Sequence, residues 1–505
     1  MRLKGGQVRG GVKKILGMSK VRKLSYTARN RIFRKAGMMN TMNRATTETT
    51  SGVIDKLRAL LGDRLSTADA VRESHGHDES WHPTEMPDAV AFAESTEEVS
   101  AIVRVCHDAG VPMVPYGAGT SVEGHIQATH GGICVDVGGM NEVLEVHAED
   151  LDCTVQPGVR RMQLNEHLRD TGLFFPIDPG ADASIGGMTG TRASGTNAVR
   201  YGTMRENVMS LTVVLPNGEI IRTARRSRKS SAGYDLTRLF VGSEGTLGII
   251  TEITLRLYGI PENISSAVVP FETVEGAVDT TIYTIQSGIP IARIELLDDV
   301  QMDALNKYSK MDHPVKPTLF MEFHGTDAGV AEQIAMVKAI GDDLGAGEFQ
   351  WSDKLEDRNR LWQARHDVAY ACKAMRPGCE IWATDVCVPL SRLAECIAET
   401  RKDLEGVTIP APMCGHVGDG NFHLAFVLDP NAPEELRQAE DLNERLVNRA
   451  LAMDGTCTGE HGVGLGKQKY MRAEHGDALN VMRAVKAAID PTNIMNPGKM
   501  LPAQN

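Results

Sequence analysis

Two hydrophobic periods share this chain. Val53, Ile54, Leu57, Leu60 and Leu61 recur at helical spacing and stop at Gly62, so the folded part is expected to begin near Ser51. Ser95-Thr-Glu-Glu98 reads as a capping box, Val99, Ile102, Val103 and Cys106 form the apolar face behind it, and Gly110 ends that helix. Short apolar runs at 111–115, 133–137, 143–147 and 152–156 predict strands, and a helix around 160–170 closes at Gly172. The stretch from Val213 to Ile221 predicts a hairpin with Asn217-Gly218 as its two-residue turn, and a further strand runs from Ile249 to Leu257. Past about residue 262 the pattern changes. Strand-like 267–271, 293–297 and 318–323 are interleaved with helical spacing at 273–287 and 327–343. Strands and helices mixed in this way predict an α+β region with an antiparallel sheet.

Three stretches poor in bulky apolar residues interrupt the first half. Pro115-Tyr-Gly-Ala-Gly-Thr-Ser-Val-Glu-Gly124 follows a strand, and its glycines allow backbone N–H groups to turn inward as a nest for phosphate oxygens, with Thr120 and Ser121 as further donors. It lacks the G-x-G-x-x-G spacing of a Rossmann turn, so NAD is not read here. Pro179 to Gly195 is too rich in small residues to form core and is suited to lie against a large ligand. Gly242-Ser-Glu-Gly-Thr-Leu-Gly248 leads into the strand at Ile249. Three such loops, each beside a strand, point to one site for a long anionic ligand such as a dinucleotide.

The densest chemistry lies in Cys414-Gly-His-Val-Gly-Asp-Gly-Asn-Phe-His423. In a helix, His416 and His423 would stand roughly 10 Å apart along the axis. In an unbroken strand their odd separation would send them to opposite faces. Gly-Asp-Gly-Asn is turn chemistry, and a turn brings both histidines to one metal ion with bonds of about 2 Å. Gly459-Glu-His-Gly-Val-Gly-Leu-Gly466 offers Glu460 as a third ligand and His461 beside it. Three protein ligands leave a position open for substrate.

Composition narrows the setting. The 505 residues suffice for two or three domains. No apolar run is long enough to span a membrane. The nine cysteines show no C-x-x-C and read as reduced thiols. The net charge of −12 conceals an asymmetry: the first 47 residues carry 13 Lys or Arg and no acid, and the remainder has a balance of −25. The acidic body argues against nucleic acid as a partner. The basic leader, 1–50, is expected to be a mitochondrial transit peptide or a disordered arm.

Together these stretches resemble a known family. Pro115–Gly124, Pro179–Gly195 and Gly242–Ile250 look like the three flavin-contacting segments of the vanillyl-alcohol-oxidase-type (PCMH-type) FAD-binding fold. The His416/His423 and Glu460/His461 stretches are similar to those of its D-2-hydroxy-acid dehydrogenase branch. The resemblance implies a two-subdomain FAD-binding domain over 51–262, an α+β cap with a ferredoxin-like antiparallel sheet over 263–484, and a segment 485–505 returning to the FAD domain. It implies FAD contacts from Pro115, Tyr116, Gly117, Ala118, Gly119, Thr120, Ser121, Gly124, Pro179, Ser184, Gly187, Thr191, Ser194, Gly195, Glu244, Gly245, Gly248, Ile249 and Ile250. Thr120 stands where some members tether the flavin through histidine, so FAD is expected to be non-covalent. Arg365, in Leu361-Trp-Gln-Ala-Arg-His366, matches the family arginine that grips the substrate carboxylate through a two-pronged fork. The implied reaction is oxidation of a D-2-hydroxy acid, D-lactate foremost, with D-2-hydroxyglutarate or glycolate as alternatives. Hydride goes to the flavin, a divalent metal (Zn²⁺ preferred, Mn²⁺ or Fe²⁺ admitted) acidifies the hydroxyl, and His461 takes its proton. An alkyl-glycerone-phosphate-synthase-type transferase or a flavin carrier without catalysis are the readings from other classes. Electrons would pass to an external acceptor, cytochrome c, a quinone or an electron-transfer flavoprotein. A homodimer is allowed. The location is mitochondrial if the leader is a transit peptide, and otherwise the bacterial cytoplasm or the periphery of the inner membrane.

Overall fold

The structure, a computed structural model, describes residues 47–503. All but the last few residues of the basic leader lie outside the described residues. The first helix is Thr47–Leu61, so the fold begins before Ser51. Glu48 in its first turn suits the positive end of the helix dipole.

Four large apolar cores organise the described residues. The first lies around a small sheet in which Ala89–Phe92 and Met113–Tyr116 pair in parallel with Ile133–Asp136. Helix Thr96–Ala109 covers it, starting where the Ser95 hydroxyl accepts the Glu98 N–H and ending at left-handed Gly110. The chain's last turns join this core: Met113 donates its N–H to the Ile494 carbonyl at 2.7 Å and accepts the Asn496 N–H at 2.7 Å. The second core backs a five-stranded antiparallel sheet ordered Val143–His147, Asp152–Val155, Ile249–Arg256, Val208–Val214 and Ile220–Arg222. Its hairpin turn differs from the expectation. Gly218 N–H reaches the Leu215 carbonyl and Leu215 N–H the Glu219 carbonyl, both at 2.8 Å. Pro216 and Asn217 are therefore the central pair, and Gly218 is the left-handed bulge residue after them. Pro216 favours this arrangement because its fixed φ suits the first central position.

The segment 179–195 also departs from the expectation that it forms no core. Ser184 caps a short helix, Ile185–Thr191, which buries Ile185 and Met188 in the second core. The small residues around those two let the helix approach its neighbours closely.

The third region is an antiparallel sheet ordered Gln350–Ser352, Asn263–Pro270, Thr318–Gly325, Ile291–Leu297, Met413–Gly415, Asn421–Leu428 and Glu380–Ala383. Both faces are covered. Ala267, Ile294, Leu296, Met321 and Leu424 pack into one core, and Val268, Leu297, Phe320 and Val427 into the other. Sheets buried on both sides read as nearly continuous apolar runs, which is why Leu319-Phe-Met-Glu-Phe323 shows no alternation. The carboxylates that interrupt those runs, Glu295 and Glu322, are fully enclosed and paired.

One guanidinium joins this sheet to the second core. Arg293 donates from Nε to Asn197 Oδ1 at 2.9 Å and from Nη2 to Asp178 Oδ2 at 3.0 Å, lies 3.5 Å from Glu322, and stacks 4.4 Å from the Trp362 ring. Removing it takes the arginine from two buried carboxylates, leaving Asp178 with Thr196 and Asn197 and Glu322 with Ser266 and His324. Arg293→Met should cost about 3–5 kcal/mol in denaturant unfolding. A variant as stable as the parent would show that this pair of contacts contributes nothing.

Candidate active site

The two histidines converge as the turn chemistry predicts. Strand Met413–Gly415 pairs with Asn421–Leu428, placing Cys414 opposite His423, and a tight turn at Val417–Asp419 joins them. Gly420 closes the turn at a φ of +81°, where an added Cβ would stand 2.2 Å from the Val388 carbonyl oxygen. His416 Nε2 lies 3.0 Å and His423 Nε2 3.3 Å from the same atom, Glu460 Oε1. The rings stand nearly perpendicular, 5.6 Å apart.

The other ring nitrogens decide the tautomers. His423 Nδ1 lies 3.0 Å from the Thr384 carbonyl, which can only accept, so Nδ1 carries the proton. His416 Nδ1 lies 2.7 Å from Glu295 Oε1. With Nδ1 of each ring so committed, Nε2 is the nitrogen that both rings turn to Glu460, and on losing its proton to an incoming cation it is the nitrogen that would ligate a metal. Tetrahedral bonds of about 2.0–2.1 Å put ligand atoms roughly 3.3 Å apart, so the donor set fits a divalent ion with little movement. A second cluster, Asp385, His423 and His461, also brings donor atoms within 4.8 Å of one another. It would need His423 Nδ1, which is committed to Thr384. Burial opposes charge here, yet His416 holds the Glu460 carboxyl well below its usual range, and Glu295 and Glu460 hold His416 well above its own.

Glu295, on strand Ile291–Leu297, extends this chain of contacts. Its Oε2 accepts from Arg365 Nε at 3.1 Å and from Nη2 at 2.6 Å. Arg365 sits in helix Leu355–His366, is buried, and spends that side of its fork on Glu295. Its Nη1 makes no hydrogen bond among the described residues. The ring of His461 lies parallel to that of His423 at 5.0 Å. Burial lowers the His461 pKa, but Asp385 and Glu123 outweigh it and raise the value.

The three glycine-rich loops meet. Gly242 and Glu244 donate their N–H groups to the Thr189 and Gly190 carbonyls, each at 2.9 Å. A Cβ on Gly117 would lie 2.5 Å from Ser184 Oγ, and one on Gly245 2.8 Å from Pro115. Backbone N–H groups of Gly117, Ala118, Gly119 and Thr120 form no hydrogen bond among the described residues. With Gly119 left-handed at +70°, they make an open nest suited to the pyrophosphate of FAD. Tyr116, Thr120 and Thr191 are partly exposed at this junction, Ser194 and Gly195 lie buried beneath it, and Pro179 and Gly187 edge it. Other expected contacts have different duties. The Ser121 hydroxyl and Gly124 N–H are spent on buried Asp78, at 2.9 and 3.0 Å, together with donors from Ser80, His125 and Gln127. Glu244 accepts Val463 N–H at 2.7 Å and Gly464 N–H at 2.9 Å, fastening the loop that carries Glu460 to the flavin loops. Gly248 allows close strand approach, and Ile249 and Ile250 pair with Val214 and Val213.

Sequence inspection missed Glu295, Asp385 and Glu123. The available signal was an acid inside an apolar strand, as in Arg293-Ile-Glu-Leu-Leu297, where a carboxylate has to meet a partner. Trp362 and Trp382 are core residues, whereas Trp351 is exposed on the edge strand.

Comparisons with known proteins agree with this layout. The FAD binding domain family matches residues 87–224, and the C-terminal domain family of FAD linked oxidases matches 260–500. The chain is 54% identical over 462 residues to the probable mitochondrial D-lactate dehydrogenase of Danio rerio, spanning 90% of this chain and 93% of that one. It is 50% identical over 453 residues to the mitochondrial D-lactate dehydrogenase [cytochrome] of Arabidopsis thaliana, spanning 89% and 80%. The crystal structure of p-cresol methylhydroxylase with substrate bound superposes with a TM-score of 0.71 at 18% identity, over 90% of this chain and 97% of that one, and so shares the fold. Two matched domains and half the residues shared along nearly the whole length make this chain a member of the FAD-linked oxidases with the PCMH-type fold, a flavin-dependent oxidoreductase of the D-lactate dehydrogenase (cytochrome) type.

Proposed function

We propose that this chain oxidises D-lactate to pyruvate, with FAD held non-covalently by the three loops and a divalent metal held by His416, His423 and Glu460. The observation that carries this is the convergence of two imidazole Nε2 atoms on one carboxylate oxygen, in a loop fastened to the flavin segments by Glu244. FAD supplies the two-electron acceptor for the C2 hydrogen when bound, and Zn²⁺, or Mn²⁺ or Fe²⁺, supplies Lewis acidity toward the hydroxyl oxygen. The chain's own groups do the rest. His461 receives the hydroxyl proton. The Nη1 edge of Arg365, set by Glu295, docks the carboxylate and so decides which enantiomer presents its C2 hydrogen to the flavin.

A single-carboxylate substrate suits the charges present. Arg293 is neutralised by Asp178 and Glu322, and Lys467 faces Glu123, so neither is available to a distal carboxylate such as that of D-2-hydroxyglutarate. A transferase of the alkyl-glycerone-phosphate-synthase type or a flavin carrier has no use for the metal ligands. The mitochondrial names of the relatives support a mitochondrial location and, for the plant protein, cytochrome c as acceptor, with a quinone or an electron-transfer flavoprotein as the other candidates.

His423→Ala should abolish turnover and lower bound metal while the flavin spectrum stays intact, because His423 lies on the cap sheet and not on the flavin loops. Loss of flavin in that variant would make the histidine structural. Arg365→Lys replaces a fork by a point charge and should raise KM for D-lactate roughly tenfold or more, with a smaller effect on kcat. An unchanged KM would remove Arg365 from the substrate site.

A further inference from the structure

Glu123 belongs to the first flavin loop, yet its side chain serves the opposite half of the molecule. It is 1% exposed. Its carbonyl accepts the N–H groups of Leu465 and Gly466 at 2.8 and 3.3 Å. A Cβ on Gly464 would lie 2.2 Å from the Glu123 carbonyl oxygen and one on Gly466 2.1 Å from Glu123 Oε2, so these two glycines serve this contact. The loop bearing Glu460 and His461 is thereby pressed against Glu123.

The carboxylate faces two buried donors. His461 Nδ1 stands 3.8 Å and Lys467 Nζ 3.6 Å from Glu123 Oε1. All three atoms are sealed from solvent without a hydrogen-bond partner among the described residues. Buried polar atoms left unbonded are costly, the more so when charged, so such a cluster marks a functional arrangement. Catalytic hydrogen bonds of this length in unliganded enzymes shorten when substrate binds. His461 Nε2, by contrast, is neither bonded nor sealed, and the ring plane is fixed by stacking on His423. Asp385 holds the His461 backbone N–H at 2.9 Å but is filled by other donors and leaves the ring nitrogens alone.

We propose that Glu123 is the positioning residue of His461. Its carboxylate, kept in place by Lys467, takes the Nδ1–H and so turns Nε2 toward the open side of the site as the nitrogen that meets the substrate hydroxyl. The assignment rests on the activity proposed above and adds the residue that orients its base.

The test compares the full-length holoenzyme with Glu123→Leu and Glu123→Gln by anaerobic stopped-flow reduction of the flavin with D-lactate. Glu123→Leu should reduce about 100-fold more slowly, the scale of a mispositioned general base. Its D-lactate Kd should stay within about threefold, with FAD content, metal content and Tm preserved. Glu123→Gln should recover most of the rate, since its amide oxygen still accepts from Nδ1. A second readout needs no turnover. Long-range ¹H–¹⁵N spectra of histidine-labelled protein, with His461 identified by its loss in His461→Gln, should show the Nδ1–H form in the parent and in Glu123→Gln but not in Glu123→Leu. If Glu123→Leu does not fold, Glu123→Asp, which withdraws the carboxylate by about 1.5 Å, must show the same loss of rate at unchanged binding. An unchanged reduction rate, or loss of FAD, metal and substrate binding in parallel with the rate, would overturn the assignment and leave Glu123 a loop anchor. Should D-lactate fail to reduce the parent flavin, the activity is refuted, and the tautomer spectra alone decide the role of Glu123.

Discussion

The site depends on the buried carboxylate of Asp385. It accepts the Glu460 and His461 N–H groups, both at 2.9 Å, the Thr458 hydroxyl at 2.7 Å and the Asn421 side-chain amide at 2.7 Å. Asn421 opens the strand that carries His423. One fully enclosed carboxylate thus ties the histidine hairpin to the glutamate loop. Burial alone would raise the Asp385 pKa, but His461, His423 and its donors outweigh that and keep it far below the ordinary carboxylate range. A charge in this environment persists only because it is hydrogen-bonded on every side, and that requirement fixes the backbone around it. Glu460 Oε1 can stand between two imidazoles because its own main chain is not free to move.

Carboxylates repeat this duty outward from the centre. Glu295 orients His416 and Arg365 from the middle of a sheet buried on both faces. Glu244 holds the main chain of the glutamate loop against the flavin half, and Asp78 locks the first flavin loop from beneath. The half matched by the FAD binding domain family and the half that carries the proposed metal ligands are registered by charge-assisted hydrogen bonds, which are short and directional. Apolar packing builds the cores, and these contacts set the site's geometry.

Much of this was legible in the chain because it is local. The odd spacing of His416 and His423 around Gly-Asp-Gly-Asn admits only a turn, and the structure places a tight turn there. The capping box at Ser95 and the left-handed stop at Gly110 rest on neighbours three or four residues apart. The contacts that escaped notice span long separations: Glu295 meets His416 across 121 residues, and Glu244 meets Gly464 across 220. No periodicity encodes such pairings, which follow from strand order and domain docking. The close packing of the glycines of 462–466 escaped notice for the same reason. Their close neighbours are Glu123, His125 and Glu244, which come from two distant segments. At 179–195, Ile185 and Met188 were outweighed by surrounding small residues, yet two apolar side chains are enough to seat one helical turn in the core.

The central claim is that two histidines and a glutamate assemble a metal site that serves a flavin. The most direct measurement is the absorbance of the purified flavoprotein under anaerobic conditions, with D-lactate and L-lactate added in turn, before and after metal removal by a chelator. Rapid bleaching by D-lactate alone, lost with the chelator and restored by Zn²⁺ or Mn²⁺, is the predicted result. Bleaching that survives complete metal removal would contradict the role given to His416, His423 and Glu460, and a flavin that neither isomer bleaches would contradict the activity itself.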